Sequence, residues 1–272
     1  MNHYEAFNDP FECRCEIIEG FPIKDPNDLR FRNIVKAWGF DDPNSDLVSD
    51  NYDEYVLELE DTEPSIPLIL DSARISCFSR KNDNLLMWAH YANGLRGFCI
   101  EFDPKYLMAN ASEFTKLYDV LYEDTPSVID TALIAVLNDQ VDYHNDAIYA
   151  TETQSKYYRG DWAAEIEMYK DAMERAYRQN DEIYQKMLAT KPLEWKYEEE
   201  IRIITQTEKT DKSGVTLKYP PEAIKSIILG EKMTPNHSQT IINIAKGYPT
   251  PIEIKKASRA PGKFDIVINT KI

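Results

Sequence analysis

The chain has 272 residues, 43% of them hydrophobic, enough to bury the core of one large domain and to exclude global disorder. A formal net charge of −16 and a pI near 4.7 give a surface that repels phosphate backbones, which excludes a general nucleic-acid binder but leaves room for a local basic pocket. The longest apolar runs, such as Ile66-Pro67-Leu68-Ile69-Leu70, are too short to span a bilayer, and no signal peptide is visible, so a cytoplasmic protein without membrane contact is expected.

In chain order, Asp9-Pro10 reads as a helix start, because a side-chain acceptor precedes a residue that lacks an amide hydrogen. Residues 25–65 are acidic and turn-rich, with helices expected over 28–37 and 46–60, and 66–72 reads as a short helix behind Ser65. Arg74–Ser79 reads as a buried strand, and residues 85–92 as a helix ended by Asn93-Gly94. Strands are expected at 97–103 and 116–123. Long helical periodicity over 126–189 predicts two antiparallel helices, near 127–150 and 153–189. Strands at 198–206, 215–218, 224–230, 251–257 and 263–268, with a helix at 235–247, complete the reading. The fold class expected is α+β: one domain over residues 1–272, a mixed β-sheet with surrounding helices, an acidic helical layer about 25–65 and a helical insertion about 126–190. Cys13, Cys15, Cys77 and Cys99 lack metal-site spacing and are expected as reduced thiols, with Cys77 and Cys99 in the core. Seven tyrosines between 143 and 184 are expected to join the two insertion helices or to form a partner surface, through which the chain could oligomerise.

The stretch Glu194-Trp195-Lys196-Tyr197-Glu198-Glu199-Glu200-Ile201-Arg202-Ile203-Ile204 is the best site candidate. As one extended strand it would put Glu198, Glu200, Arg202 and Ile204 on one face, and Trp195, Tyr197, Glu199, Ile201 and Ile203 on an apolar, core-facing one. Charges on a strand that enters a core need partners or a ligand.

Four blocks recur together: Phe7-Asn8-Asp9-Pro10-Phe11-Glu12; Cys77-Phe78-Ser79; Met87-Trp88-x-His90-Tyr91 with Gly97; and Glu194-Trp195-x-Tyr197-Glu198-x-Glu200-x-Arg202. In this order they resemble the bacterial family catalogued as domain of unknown function 2971. That family usually carries a tyrosine-rich, basic strand and a helix ahead of the Asn-Asp-Pro-Phe block. This chain begins six residues before Phe7, so the resemblance implies that the family's N-terminal strand is absent. A defence or stress role is loosely implied by the kind of family it is.

The Glu198-x-Glu200 strand also looks like the catalytic end of mono-ADP-ribosyltransferases. That likeness implies an NAD-using transferase in which Glu200 holds the nicotinamide-side ribose and steadies a developing cation, while Glu198 orients the acceptor. A hydroxyl-bearing strand would be supplied by Ser76 and Ser79, and Trp88 and Tyr91 would stack on the cofactor. The site expected on this reading has Glu200, Glu198 and His90 as catalytic groups, and Asn8, Asp9, Ser76, Ser79, Trp88, Tyr91 and Arg202 around NAD, with no metal. A histidine so placed is more often a hydrogen-bonded structural group than a general acid or base.

Two other readings stand beside it. Asp9, Glu12, Glu198 and Glu200 could gather around Mg²⁺ in a metal-dependent nuclease. Alternatively, Glu198 and Glu200 could pair with Arg202 and with Arg74, Arg80 or Arg96 in a structural network within a binding or sensing module for a small molecule or protein. The absence of a Gly-rich phosphate loop, a nucleophile elbow and a paired-histidine motif speaks against P-loop, hydrolase and zinc chemistry.

Overall fold

The computed structural model describes residues 1–158, 160–209 and 211–270. Its elements begin with β1 (Cys15–Ile18), α1 (Leu29–Ala37), α2 (Asp46–Leu59), α3 (Ile66–Ser72), β2 (Ala73–Ser79), α4 (Leu85–His90), β3 (Phe98–Phe102) and α5 (Pro104–Leu107). Then come β4 (Thr115–Asp119), β5 (Leu121–Glu123), β6 (Ser127–Asp130), α6 (Thr131–Tyr157), α7 (Ala163–Leu188) and β7 (Thr190–Pro192). The chain closes with β8 (Glu200–Gln206), β9 (Ile224–Gly230), α8 (Pro235–Lys246), β10 (Glu253–Arg259) and β11 (Ile266–Asn269). The fold is α+β, as the irregular order of strands and helices predicts.

The chain divides into two compact units. The first comprises Met1–Pro10, Ser72–Asp124 and Lys191–Ile272; the second comprises Phe11–Asp71 and Thr125–Thr190. The acidic layer and the helical insertion expected from the sequence both fall in the second unit.

Among the described residues the first unit holds two sheets of three or more strands. A four-stranded sheet runs β11-β10-β9-β3, with β9 and β10 parallel and the outer pairs antiparallel. An antiparallel sheet runs β2-β8-β4. β9 is an almost unbroken apolar run because both of its faces are covered. Ile228 packs with Trp88, Ala92, Leu95, Ala257 and Ile266, whereas Ile227 and Leu229 pack with Ala245 of α8. The Asn84 side chain caps α4 by accepting from the Leu86 and Met87 amides. Past the end of that helix, Asn93 and Gly94 adopt positive φ, 49° and 62°, as the Asn-Gly pair predicts.

In the second unit, α1, α2 and α6 close around Phe31, Ile34, Val35, Tyr52, Ala132 and Val136. The Tyr55 ring stacks on Trp38 at 4.1 Å, and its hydroxyl donates to Asp139 at 2.6 Å. α6 and α7 run side by side, tied by Asn180 donating to Asn138 at 2.6 Å. Of the tyrosines, Tyr169 of α7 meets the His144 ring of α6 at 6.0 Å, whereas Tyr143, Tyr149, Tyr157, Tyr158 and Tyr177 are exposed.

Several expectations need correcting. Asp9-Pro10 starts no helix; a turn follows, in which Arg14 donates to the Phe11 carbonyl and Cys13 takes φ of 54°, which a helix cannot continue through. Residues 127–130 form β6, parallel to β1, because Asp130 is the cap of α6 and the helix cannot begin before it. α6 ends at Tyr157 and α7 begins at Ala163, with Gly160 and Asp161 between them, so the helices do not break at 150–153, which holds no breaker. The segment 116–123 is two strands, and 215–218 forms none. The four cysteines are thiols, but Cys77 is exposed and Cys99 only half-buried, whereas Cys13 is a core residue. His3 is buried and caps a short 3-10 turn. No helix among the described residues is long and apolar enough to cross a membrane.

Candidate functional site

The approach to β8 is not the straight strand that the alternation suggested. Behind Pro192, Leu193–Glu198 winds into a 3-10 turn, and Glu199 sits in the left-handed region at φ 43° and ψ 53°. The strand begins only at Glu200. This kink turns Glu198 and Glu200 to the same interior, while Trp195, Tyr197 and Glu199 are left half-exposed. The charged side is therefore the buried one. The kink is pinned from all sides: Ser79 donates to the Glu198 carbonyl at 2.7 Å, Asn84 to the Tyr197 carbonyl at 2.6 Å, and the Arg80 amide to the Glu199 carbonyl at 3.0 Å. The Glu200 amide donates to the Tyr122 hydroxyl at 2.8 Å.

Within it lies a cluster of four charges. The Lys191 ammonium donates to Glu198 Oε2 at 2.7 Å and to Glu200 Oε2 at 2.9 Å. Arg202 Nε donates to Glu200 Oε1 at 2.8 Å, and the Tyr91 hydroxyl to Glu198 Oε1 at 2.6 Å. All four carboxylate oxygens thus hold a donor. Asn8 extends the chain by hydrogen-bonding Tyr91, and the Cys77 thiol hydrogen-bonds Glu200. Lys191 is 5% exposed, Glu198 3%, Glu200 5% and Arg202 0%. Two cations and two anions make the cluster neutral, which is what burial at this depth requires.

The titration of these groups follows from their neighbours. Burial would raise the Glu200 carboxyl, but the Arg202 and Lys191 charges outweigh it and bring it from the usual 4.5 down to about 2. Burial would likewise lower the Lys191 ammonium, yet the Glu200 charge and the bonds to both carboxylates hold it above its ordinary value. The Tyr91 phenol is pushed up by burial and by its bond to Glu198.

A separate feature opens on the other face of the same strands. The register pairs Ser79 with Glu200 and Cys77 with Arg202, and it pairs Phe78 with Ile201 and Leu117 with Ile203. Paired residues share a face and neighbours alternate, so the two sets point oppositely. The Phe78 set lines a cleft of about 770 Å³, closed from the other side by Phe98, Ile100 and Phe102 of β3. Phe102 meets Phe78 edge-on at 5.5 Å and Tyr219 at 5.3 Å. Three of the charges at its rim are already engaged: Arg80 with Asp119, Lys81 with Glu199, and Glu101 with Lys255 at 2.6 Å and Asn82 at 2.6 Å. Burial would raise the Glu101 carboxyl, but its bonds from Lys255, Ser226 and Asn82 hold it below the usual range.

The structure brings Asn8, Tyr91, Glu198, Glu200 and Arg202 into one network, and it adds Ser79 through the backbone of Glu198. Asp9 is buried as well. Three other expected residues lie elsewhere. Ser76 lies three residues from Ser79 along β2 and therefore on the opposite face. Trp88 is a core residue whose indole donates to the Asn82 carbonyl at 2.7 Å, and His90 is exposed, with Tyr197 the ring beside it at 6.3 Å. Arg74 serves the Ser213, Asp211 and Ala73 carbonyls, and Arg80 serves Asp119, so the expected extra cation is neither. It is Lys191. Charge balance could have found it: two glutamates and one arginine leave one negative charge uncompensated.

Compared with known families, residues 87–203 match the model described as "Protein of unknown function (DUF2971)". The chain resembles the DUF2971 family. The DUF2971 match spans α4 to β8 and includes Tyr91, Lys191, Glu198, Glu200 and Arg202, so the whole ionic cluster except Asn8 and Cys77 lies inside it. No curated protein and no solved structure matches the chain.

Proposed function

We propose that the first unit is a non-enzymatic binding module whose ligand seat is the apolar cleft, with the ionic cluster behind β8 holding one wall of that cleft in shape. One observation carries this reading: every carboxylate oxygen of Glu198 and Glu200 is bonded inside the protein, while an open cavity, mostly apolar with charges at its rim, lies on the opposite face of the same strands. A transferase glutamate must offer its carboxylate to a ribose; here Glu200 would first have to give up Lys191 and Arg202. A nuclease would place a cation between the two carboxylates, and the Lys191 ammonium occupies that position. Among the described residues no group of three or more His, Cys, Asp or Glu side chains is arranged to hold a metal ion. The cleft has the size and apolar lining of a small-ligand site.

Nile red, a neutral apolar dye, serves as a probe. It should bind the folded protein in stoichiometric amount. Leu117→Glu, at a half-exposed position on the cleft wall, should weaken binding by about tenfold or more, because the dye would then bury a carboxylate. Purified protein should release no nicotinamide from NAD. Dye binding unchanged in Leu117→Glu, or nicotinamide release that Glu200→Gln abolishes in a folded protein, would overturn the proposal.

A further inference from the structure

Along one side of the cleft, β3 is an edge strand that pairs only with β9 among the described residues. The Gly230 amide donates to the Gly97 carbonyl, which makes 97 and 230 a hydrogen-bonded pair. With the register Phe98↔Leu229, Cys99↔Ile228, Ile100↔Ile227, the bonded pairs continue at Cys99, and the intervening residues Phe98 and Ile100 turn their N–H and C=O groups outward. Both residues are exposed, and no charged or proline residue blunts the edge between Phe98 and Ile100.

We infer that the cleft takes an extended, uncharged peptide segment that adds to the β3 edge as a further strand. The inference rests on the cleft being the ligand seat. A purely apolar small molecule filling it would bury the outward N–H and C=O of Phe98 and Ile100 without partners, which is costly. The occupant that relieves this carries donors and acceptors alternating at strand spacing, as an extended backbone does. Its side chains on one face would meet Phe78, Leu117 and Ile201 and should be apolar. Because Arg80, Lys81 and Glu101 at the rim each already hold an ion-pair partner, the cleft favours a segment without net charge. The five residues of β3 set its length at about five residues.

The probe is a fluorescein-labelled, acetylated and amidated peptide of alternating threonine and valine, in three forms: unmodified, N-methylated on every valine, and N-methylated on every threonine. The unmodified form should bind. One N-methylated form should lose about tenfold or more in affinity and the other should not, since only alternate amides face the edge. Hydrogen exchange at the Phe98 and Ile100 amides should slow when the peptide is added. Ile100→Pro, which removes an outward amide but no ladder bond, should weaken binding by a similar factor with the circular dichroism unchanged; if that variant does not fold, the exchange and N-methyl experiments on the natural chain decide. Equal binding of all three forms, unchanged exchange at Phe98 and Ile100, or self-association through this edge in place of peptide binding would overturn the inference. Nile red binding that persists while the peptide fails would leave the cleft as the ligand seat and remove only the peptide; failure of both would remove both.

Discussion

Lys191 is the residue on which the buried cluster balances, because it is bonded to both glutamates. Removing it in Lys191→Met leaves a buried carboxylate without its cation, and the cost should be about 3–5 kcal/mol in urea unfolding. Adding Glu198→Gln should recover part of that loss, since Glu200 and Arg202 then remain as a neutral pair; a double variant as unstable as the sum of the two singles would mean the charges are not coupled. The pH dependence has a defined sign. Glu200 is depressed from 4.5 to about 2, so its contribution is present above pH 4.5 and is lost as the pH falls toward 2. Lys191 is raised, so its contribution is present below its ordinary value of 10.5 and is lost as the pH rises beyond it. Denaturation midpoints followed from pH 7 in both directions should fall at each end, and Glu200→Gln should flatten the acid limb. At this scale the sequence was half legible: Glu198, Glu200 and Arg202 could be read from their alternation, whereas Lys191 lies in a three-residue strand too short to carry a period.

Among the elements, those with their own signals were legible. α1, α2, α8 and β9 lie within about two residues of their expected bounds because caps, periodicity or an unbroken apolar run marks them. What escaped was conformation that depends on distant partners. The 3-10 turn and left-handed Glu199 ahead of β8 are held by Ser79, Asn84 and Arg80, more than a hundred residues earlier, and no local pattern announces them. The strand expected at 215–218 failed for the matching reason: Val215 donates to the Met1 carbonyl, but no neighbouring strand continues the ladder. β9 offers a test at this scale. A Cβ on Gly230 would lie 2.2 Å from the Leu95 carbonyl oxygen, and Leu95 also accepts from the Lys232 amide, so the clash is with backbone held in place. Gly230→Ala should destabilise by about 2–4 kcal/mol and should loosen the α4–β3 connection, seen as faster exchange of the Gly97 amide. Stability within about 0.5 kcal/mol of the natural chain would show that the close approach is not fixed.

Over the whole molecule, charge is divided between the units. Of the 47 acidic and 31 basic residues, the second unit holds 28 and 11, for a net −17, and the first holds 19 and 20, for a net +1. The acidity that excludes a general nucleic-acid binder is therefore a property of the helical unit, and the unit with the cleft is close to neutral. Like charge on one compact body opposes its folding by self-repulsion, and salt screens that repulsion at exposed positions. The ionic cluster of the first unit is buried and is screened far less. The two units should then answer salt differently. Trp38 belongs to the second unit and packs in its core, and Trp88 belongs to the first and does the same there. In variants that keep one of these as the sole tryptophan, raising NaCl from about 0.02 M to about 0.5 M should shift the Trp38 unfolding midpoint upward and leave the Trp88 midpoint nearly unchanged. If both probes shift together by the same amount, the two units unfold as one cooperative body and the repulsion is shared; if neither shifts, the acidic surface is too dispersed for self-repulsion to weigh on stability.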